Sequence, residues 1–149
     1  MQITSRFTIA VHSITAIDYF HKDFQVTSNF LAKSVGANPV IIRNVMGQLK
    51  NAGIIAITQG KSGIELLKPI DKITFYDVYK AVDCLDEAGL FHFHENPSFE
   101  CPIGRVIHSA MDDKLQSVQD AMEQRLREIT VADVMRDAVK EMQNEPDAK

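Results

Sequence analysis

The chain has 149 residues, of which 45% are hydrophobic and 24% charged, with a net charge of −4 and two cysteines. This composition is typical of a globular protein with one main domain, and two cysteines make neither a disulfide framework nor a four-cysteine zinc site. No apolar run approaches the ~18 residues of a membrane span. Because the first residues lack the blocks of a signal peptide, we expect a cytoplasmic protein without membrane contact.

The charges are unevenly distributed along the chain. Residues 1–70 carry seven Lys or Arg and three acidic residues, a charge of +4, whereas residues 71–149 carry nine basic and seventeen acidic residues, a charge of −8. A basic segment is expected where a protein contacts phosphate. Chance asymmetry in a short chain is the alternative.

The first third of the chain predicts three helices. Apolar residues at helical spacing predict a helix over Ser5–His21, with its first residue as the N-cap. A second helix is predicted over Thr27–Gly36, from a Thr N-cap to a glycine that can adopt the left-handed conformation. The third, over Asn38–Gly53, has an Asn cap and a Pro at its first helical position. The second and third helices are separated by a short turn, as in a helix-turn-helix.

A β-hairpin is predicted after the third helix. Two β-prone runs, Ile54–Thr58 and Ile64–Lys68, flank the loop Gln59–Gly63, which contains two glycines and a lysine. A helix-turn-helix followed by a hairpin indicates a winged helix. The predicted fold class is therefore mainly α with a small β-hairpin wing.

The second half of the chain predicts a fourth helix over Ile73–Val82 with Thr74 as its cap, a loop, and a long helix from about Ile103 to Ile129. Apolar residues of the long helix form one stripe, which is expected to pack against a second copy of the chain; folding back on its own domain is the alternative. The stripe consists of Ile107, Met111, Leu115, Val118, Met122, Leu126 and Ile129. A last helix is predicted to end near Met142.

Three regions follow from these elements. Residues 1–70 are expected to form a winged helix-turn-helix domain, and residues 71–102 a linking helix and loop that could sense a signal. Residues 103–149 are expected to contain the long dimerisation helix and a C-terminal helix.

Double-stranded DNA is the partner that this arrangement favours. The second helix of a helix-turn-helix enters the major groove, where Arg recognises guanine and Asn adenine, and helix N-termini hold phosphate. The pattern left open whether Val40 and Ile41 contact a thymine methyl group or pack inward. The candidate DNA-contacting residues are Thr27, Ser28, Asn38, Pro39, Val40, Ile41, Arg43, Asn44, Gly47, Gln59, Lys61 and Ser62.

The chain resembles the bacterial winged-helix regulator family that includes IscR, NsrR and CymR. The resemblance rests on SRFTIAVHSI, VTSNFLAKSVGANPVIIRNVMGQLKNAGII, GIELLKP, ITFYDVYKAV and REITVADV, in that order. It implies a homodimer with crossed long helices that binds a partly palindromic operator, usually as a repressor. Asn38–Asn44 match the start of the family's base-contacting helix, and Gln59–Gly63 match its wing.

The chain departs from this family at its cysteines. Members with an iron–sulfur cluster have three closely spaced cysteines before the long helix, whereas this chain has only Cys101 there, so we expect no cluster and no other cofactor. Cys101, close to the predicted start of a helix, is a possible thiol sensor, with an inert cysteine as the alternative. His92, His94 and His108 match no zinc pattern, so no metal site is predicted.

No enzyme motif is present: the chain lacks a phosphate-binding glycine loop, a nucleophile elbow and a paired acid and base. We expect a DNA-binding regulator whose operator affinity responds to an unknown small-molecule or redox effector near the junction of the fourth and long helices. The alternative is a winged-helix protein that binds a protein partner instead of DNA.

Overall fold

The computed structural model describes residues 3–58, 63–82 and 89–146. In chain order its elements are α1 (Ser5–Phe20), α2 (Ser28–Val35), α3 (Pro39–Asn51), β1 (Ile55–Thr58), β2 (Gly63–Leu66), a 3-10 turn (Ile70–Lys72), α4 (Phe75–Val82), α5 (Ile107–Glu128) and α6 (Val131–Asn144). The predicted fold class, mainly α with a β-hairpin wing, is confirmed. Within the described ranges, no helix is long and apolar enough to cross a membrane.

Capping residues fix the ends of the first helices. The predicted cap of α1 is wrong by one position: Ser5 is already helical, and the side chain of Thr4 accepts the capping hydrogen bond. The predicted cap of α2 is confirmed, since Thr27 Oγ1 accepts a hydrogen bond from the Phe30 N–H at 3.2 Å. Gly36 then ends α2 with a φ of +72°, a conformation that costs glycine little.

Two Thr–Asp capping boxes start the helices of the second half. The Thr74 side chain accepts from the Asp77 N–H at 3.1 Å, and the Asp77 carboxylate accepts from the Thr74 N–H at 2.9 Å. Thr130 and Asp133 make the same reciprocal pair at the start of α6. Each box satisfies two backbone groups that a helix end would otherwise leave unpaired.

The long helix begins at Ile107, later than the predicted start at about Ile103. The preceding residues form turns instead, in which the Val106 N–H donates to the Ile103 carbonyl. Gly104 lies against the backbone of Ser98, so closely that a side chain there would overlap it. The segment just before α5 is thus packed against a residue six positions earlier and is not part of the helix.

The hydrophobic core surrounds α1, which packs against α2, α3, α4, α6 and β2. The predicted inward face of α3, Ile42, Val45, Met46 and Leu49, is confirmed, with each residue at most 1% exposed. The other large, fully buried side chains are Ile14, Ile17, Val26, Leu31, Ile54, Ile55, Ile73 and Tyr79. Because α1 and the core lie behind one face of α3, the opposite face is left free.

The chain returns to its N-terminal region after α5. Thr74 and Thr130 form an isolated antiparallel bridge, flanked by hydrogen bonds from the Phe75 N–H to the Ile129 carbonyl and from the Val131 N–H to the Ile73 carbonyl. These bonds anchor the start of α6, which packs against α1 and the 3-10 turn. Helix α5 packs against α4 and has no buried residue.

Candidate nucleic-acid interface

The outer face of α3 is the side of this helix that faces away from the core. Since successive helical residues are about 100° apart, Val40, Asn44 and Gly47 point roughly away from the buried Ile42. Val40 and Asn44 are exposed, and Arg43 lies exposed beside them. Gly47 is half-buried, and a Cβ atom added there would meet no neighbouring atom of the described residues within 4 Å. The face thus combines an apolar side chain, two polar side chains and a position without any side chain.

The start of α3 is fixed by its cap. Asn38 Oδ1 accepts a hydrogen bond from the Val40 N–H at 2.8 Å, and Pro39 occupies the first helical position. The Asn38 oxygen is therefore engaged within the chain, and its NH₂ group is the part that can donate to DNA. Val40 and Ile41 are 56% and 40% exposed, which excludes the alternative that they pack inward.

A concavity of about 340 Å³ lies between the start of α2, the side of α3 and the wing. It brings together three of the predicted DNA-contacting residues, Thr27, Ser28 and Arg43. Gln25 and Thr58 line it as well, and neither was predicted, although each lies next to a segment that was. Hydroxyl groups at a helix N-terminus, together with a guanidinium group, form a suitable surface for a phosphate.

The base of the wing is attached to the segment that precedes α2. In the hairpin, Thr58 pairs with Gly63, and the neighbouring Ile64 N–H donates to the Val26 carbonyl at 3.0 Å. Gly63 has a φ of +62°, and a Cβ there would lie 2.6 Å from the Val26 carbonyl oxygen. Only glycine fits this approach, which holds the wing beside the α2 N-terminus. The predicted wing contacts Gln59, Lys61 and Ser62 lie outside the described residues.

The charges around this surface suit an anionic ligand. Neither α2 nor α3 has an acidic residue in its first turn, and the same holds for α1 and α5, whereas α4 and α6 each have an aspartate there, although acidic residues normally stabilise that position. All ion pairs between described residues lie between residues 123 and 137. The described basic side chains of residues 1–70, Arg43 included, are thus not neutralised by such pairs.

Comparison with known proteins identifies the family. The model of the Rrf2 family, described as iron-dependent transcriptional regulators, matches residues 3–137. The chain belongs to the Rrf2 family. A relative in Bacillus subtilis (strain 168), YwnA, is named as an HTH-type transcriptional regulator; the two are 38% identical over 133 residues, which is 89% of this chain and 96% of YwnA. The resemblance inferred from the sequence is confirmed.

Solved structures of regulators share the fold. A transcriptional regulator from Lactobacillus plantarum is 26% identical with a TM-score of 0.74, and the match covers 94% of this chain and 97% of that chain. CymR of B. subtilis, the global cysteine regulator, is 14% identical with a TM-score of 0.67, over 91% of this chain and 97% of that chain, and shows the fold alone. As an Rrf2 member, the chain is a DNA-binding transcriptional regulator and not an enzyme, as predicted.

The iron dependence in the Rrf2 description raises the question of an iron–sulfur cluster. Such clusters are held mainly by cysteine thiolates, commonly four, and this chain has two cysteines in total. Cys84 lies outside the described residues, and Cys101 is exposed. In the described part of the chain, no three His, Cys, Asp or Glu side chains are grouped. The donor set of one chain does not fit a cluster.

The segment before α5 contains the predicted thiol and two of the three histidines, and His108 is the second residue of α5. Because α5 begins at Ile107, Cys101 lies outside its first turn, and the helix dipole therefore gives no reason for unusual thiol reactivity. The ring centroids of His94 and His108 are 5.1 Å apart, and the Phe93 ring centroid lies 4.6 Å from that of His108, with the two rings tilted by 42°. These rings form a small aromatic cluster at the end of the molecule where α5 starts.

Proposed function

We propose that this Rrf2 protein acts in the cytoplasm as a homodimeric repressor that binds a partly palindromic operator through α3 and the wing. The observation that carries the proposal is Gly47. Glycine in the middle of a helix costs about 1 kcal/mol relative to alanine, yet among the described residues a Cβ atom at this position would meet no neighbouring atom within 4 Å. Packing between described residues does not require this glycine, whereas close approach of an external surface would.

The neighbours of Gly47 supply the chemistry of base recognition. Arg43 can donate two hydrogen bonds to guanine, and Asn44 can pair with adenine. Both side chains are exposed on the N-terminal half of α3, the part of a recognition helix that reaches base edges. The concavity lined by Thr27, Ser28 and Arg43 would hold a backbone phosphate and so fix the position of α3.

Dimerisation through α5 is supported by its apolar stripe, which one chain covers only in part. The helix is about 33 Å long at 1.5 Å per residue; the predicted stripe residue Ile129 lies just beyond its end, and the stripe residues other than Val118 are half-buried. Val118, near the middle, is 53% exposed. An apolar face of this length is expected to pack against a second copy, and a two-fold axis would place two copies of α3 on successive turns of DNA.

Regulation would act by population shift. The segment between α4 and α5 connects the domain that holds α3 to the proposed dimer helix, so a ligand or oxidation event there, Cys101 included, can change the spacing of the two α3 helices. In this proposal, no iron–sulfur cluster takes part in the regulation. Repression is the outcome favoured by the family resemblance.

The test is selection of duplexes from a random-sequence pool by the reduced, metal-free protein. We expect one partly palindromic sequence to be enriched, with an affinity that falls steeply as salt rises because counterions are released from contacted phosphates. Lys140→Ala, on the exposed part of α6, is the control and should leave affinity unchanged. Absence of any enriched sequence would contradict the proposal and favour a protein partner.

A further inference from the structure

Two adjacent β-branched side chains are exposed at the start of α3. Val40 is 56% and Ile41 40% exposed, between the cap residue Asn38 and the polar residues Arg43 and Asn44. Valine and isoleucine are weaker helix formers than alanine, lysine or glutamate, and a helix N-terminus favours acidic residues. Neither helix stability nor the core accounts for them at these positions.

Val40 lies on the face of α3 that would contact DNA, and not on the face that packs into the core. It lies on the same outer stripe of α3 as Asn44 and Gly47, about one turn from Asn44 and two turns from Gly47 in the direction of the N-terminus. Ile41 lies on the side of this stripe away from Arg43, whose side chain lines the concavity beside the wing. A surface that covers this stripe from Gly47 to the start of α3 would therefore also contact Val40.

The backbone of Val40 is held in place before any ligand arrives. Its N–H is bound by Asn38 Oδ1 at 2.8 Å, and it follows Pro39 in the first turn. Valine has one strongly preferred χ1 rotamer in a helix. Little side-chain entropy is lost when such a residue is covered, so its methyl groups form a preorganised apolar contact.

We propose that Val40 and Ile41 recognise the 5-methyl groups of thymines in the operator. This proposal rests on the proposed function and adds the identity of the bases. The thymine methyl is the apolar group that an A·T pair presents in the major groove, beside hydrogen-bonding groups that valine and isoleucine cannot satisfy. Covering a G·C edge with these side chains would leave its donors and acceptors without water or partners.

The experiment replaces single thymines by uracil, which removes the methyl group and keeps the base pair. Duplexes enriched by the wild-type protein are synthesised with uracil at each thymine in turn, and affinities are measured by fluorescence anisotropy. Loss of one buried methyl group is expected to weaken binding about four-fold. The effect should appear at one or two thymines per half-site and nowhere else.

Protein variants assign the methyl contact to residues. The Val40→Ala protein should bind equally well to duplexes with thymine and with uracil at the base that Val40 contacts. The Ile41→Ala protein should likewise show no preference for thymine at a neighbouring base. Arg43→Ala should bind both more weakly while keeping their ratio. Since Val40 and Ile41 are exposed, the alanine variants should melt no lower than the wild type, which circular dichroism checks.

The outcomes separate this inference from the proposed function. An enriched operator that binds equally well with uracil at every position overturns the methyl contact and leaves DNA recognition standing. Full thymine preference in both alanine variants overturns the assignment to these residues. Failure to enrich any sequence overturns the proposed function, and the methyl contact with it.

Discussion

Gly47→Ala should make the protein more stable and a weaker DNA binder. The position is helical, in the middle of α3, and among the described residues the added Cβ would have no neighbouring atom within 4 Å. Alanine restricts the unfolded chain and favours the helix, so the free energy of unfolding should rise by about 1 kcal/mol. For a chain of this size, that corresponds to a rise in Tm of roughly 3 °C.

The effect on DNA should have the opposite sign. If the α3 backbone approaches the major groove at Gly47, the new methyl group occupies space that the bases need, and overpacking of this kind costs about 1–3 kcal/mol. Binding to the enriched operator should weaken by roughly one order of magnitude or more, measured by fluorescence anisotropy. Thermal unfolding of the same samples gives the change in stability.

Gly36→Ala is the matched control, because the same methyl group is added where φ is +72°. An L-residue in that conformation costs about 1–2 kcal/mol, so this variant should be less stable than the wild type. The Gly36→Ala variant thus measures the effect of backbone strain, and the Gly47→Ala variant measures the effect of close approach by DNA. A Gly47→Ala protein with unchanged operator affinity would refute the close approach, and one with lowered Tm would refute the structural reasoning.

Three further variants test other parts of the molecule. Leu115→Glu should give monomers in light scattering, because a charge enters the apolar stripe of α5. Ser117→Glu, on the other side of the helix, should remain a dimer. A dimer in both cases would contradict the proposed interface. Gly63→Ala should lower stability by roughly 1–2 kcal/mol and weaken DNA binding, since φ is +62° and Val26 blocks the Cβ; unchanged stability would show that the wing does not pack as described. For Asp133, the hydrogen bond from the Thr130 backbone, followed by that from Arg136, holds the pKa of the carboxyl below its ordinary value of 3.8. The carboxylate therefore stabilises the fold above about pH 4, and this contribution is lost as the pH falls through the lower, folded-state pKa. The difference in the free energy of unfolding between wild type and Asp133→Asn should therefore shrink as the pH is lowered from about 4 through the folded-state pKa. A difference that stays constant would contradict the capping role of Asp133.

Local signals were sufficient to predict much of the fold. Thr27, Gly36 and Asn38 act through their own hydrogen bonds or dihedral angles, so the ends of α2 and the start of α3 follow from nearest neighbours. The apolar face of α3 followed from helical spacing in the same way. The start of α5 did not, because the residues before Ile107 form turns, with Gly104 close to the backbone of Ser98, and apolar spacing does not indicate these turns.

The site was predictable only in part for the same reason. Gln25 and Thr58 join the concavity because Ile64 bonds to Val26 across the molecule, a pairing that no local pattern indicates. The sequence analysis also left open whether Val40 and Ile41 pack inward, and the exposed fractions of their side chains decide this. The return of α6 to α1 likewise depends on the contacts of the segment at Thr130 with that at Thr74.

The most direct test of base recognition by α3 compares the sequences selected by wild-type and Arg43→Ala protein from the same random pool. If Arg43 contacts a guanine, the variant should enrich the same operator with one position per half-site relaxed, and bind it about 1–3 kcal/mol more weakly. Salt dependence should change little. An unchanged sequence preference with uniformly weaker binding would make Arg43 a phosphate contact and contradict its role in base recognition.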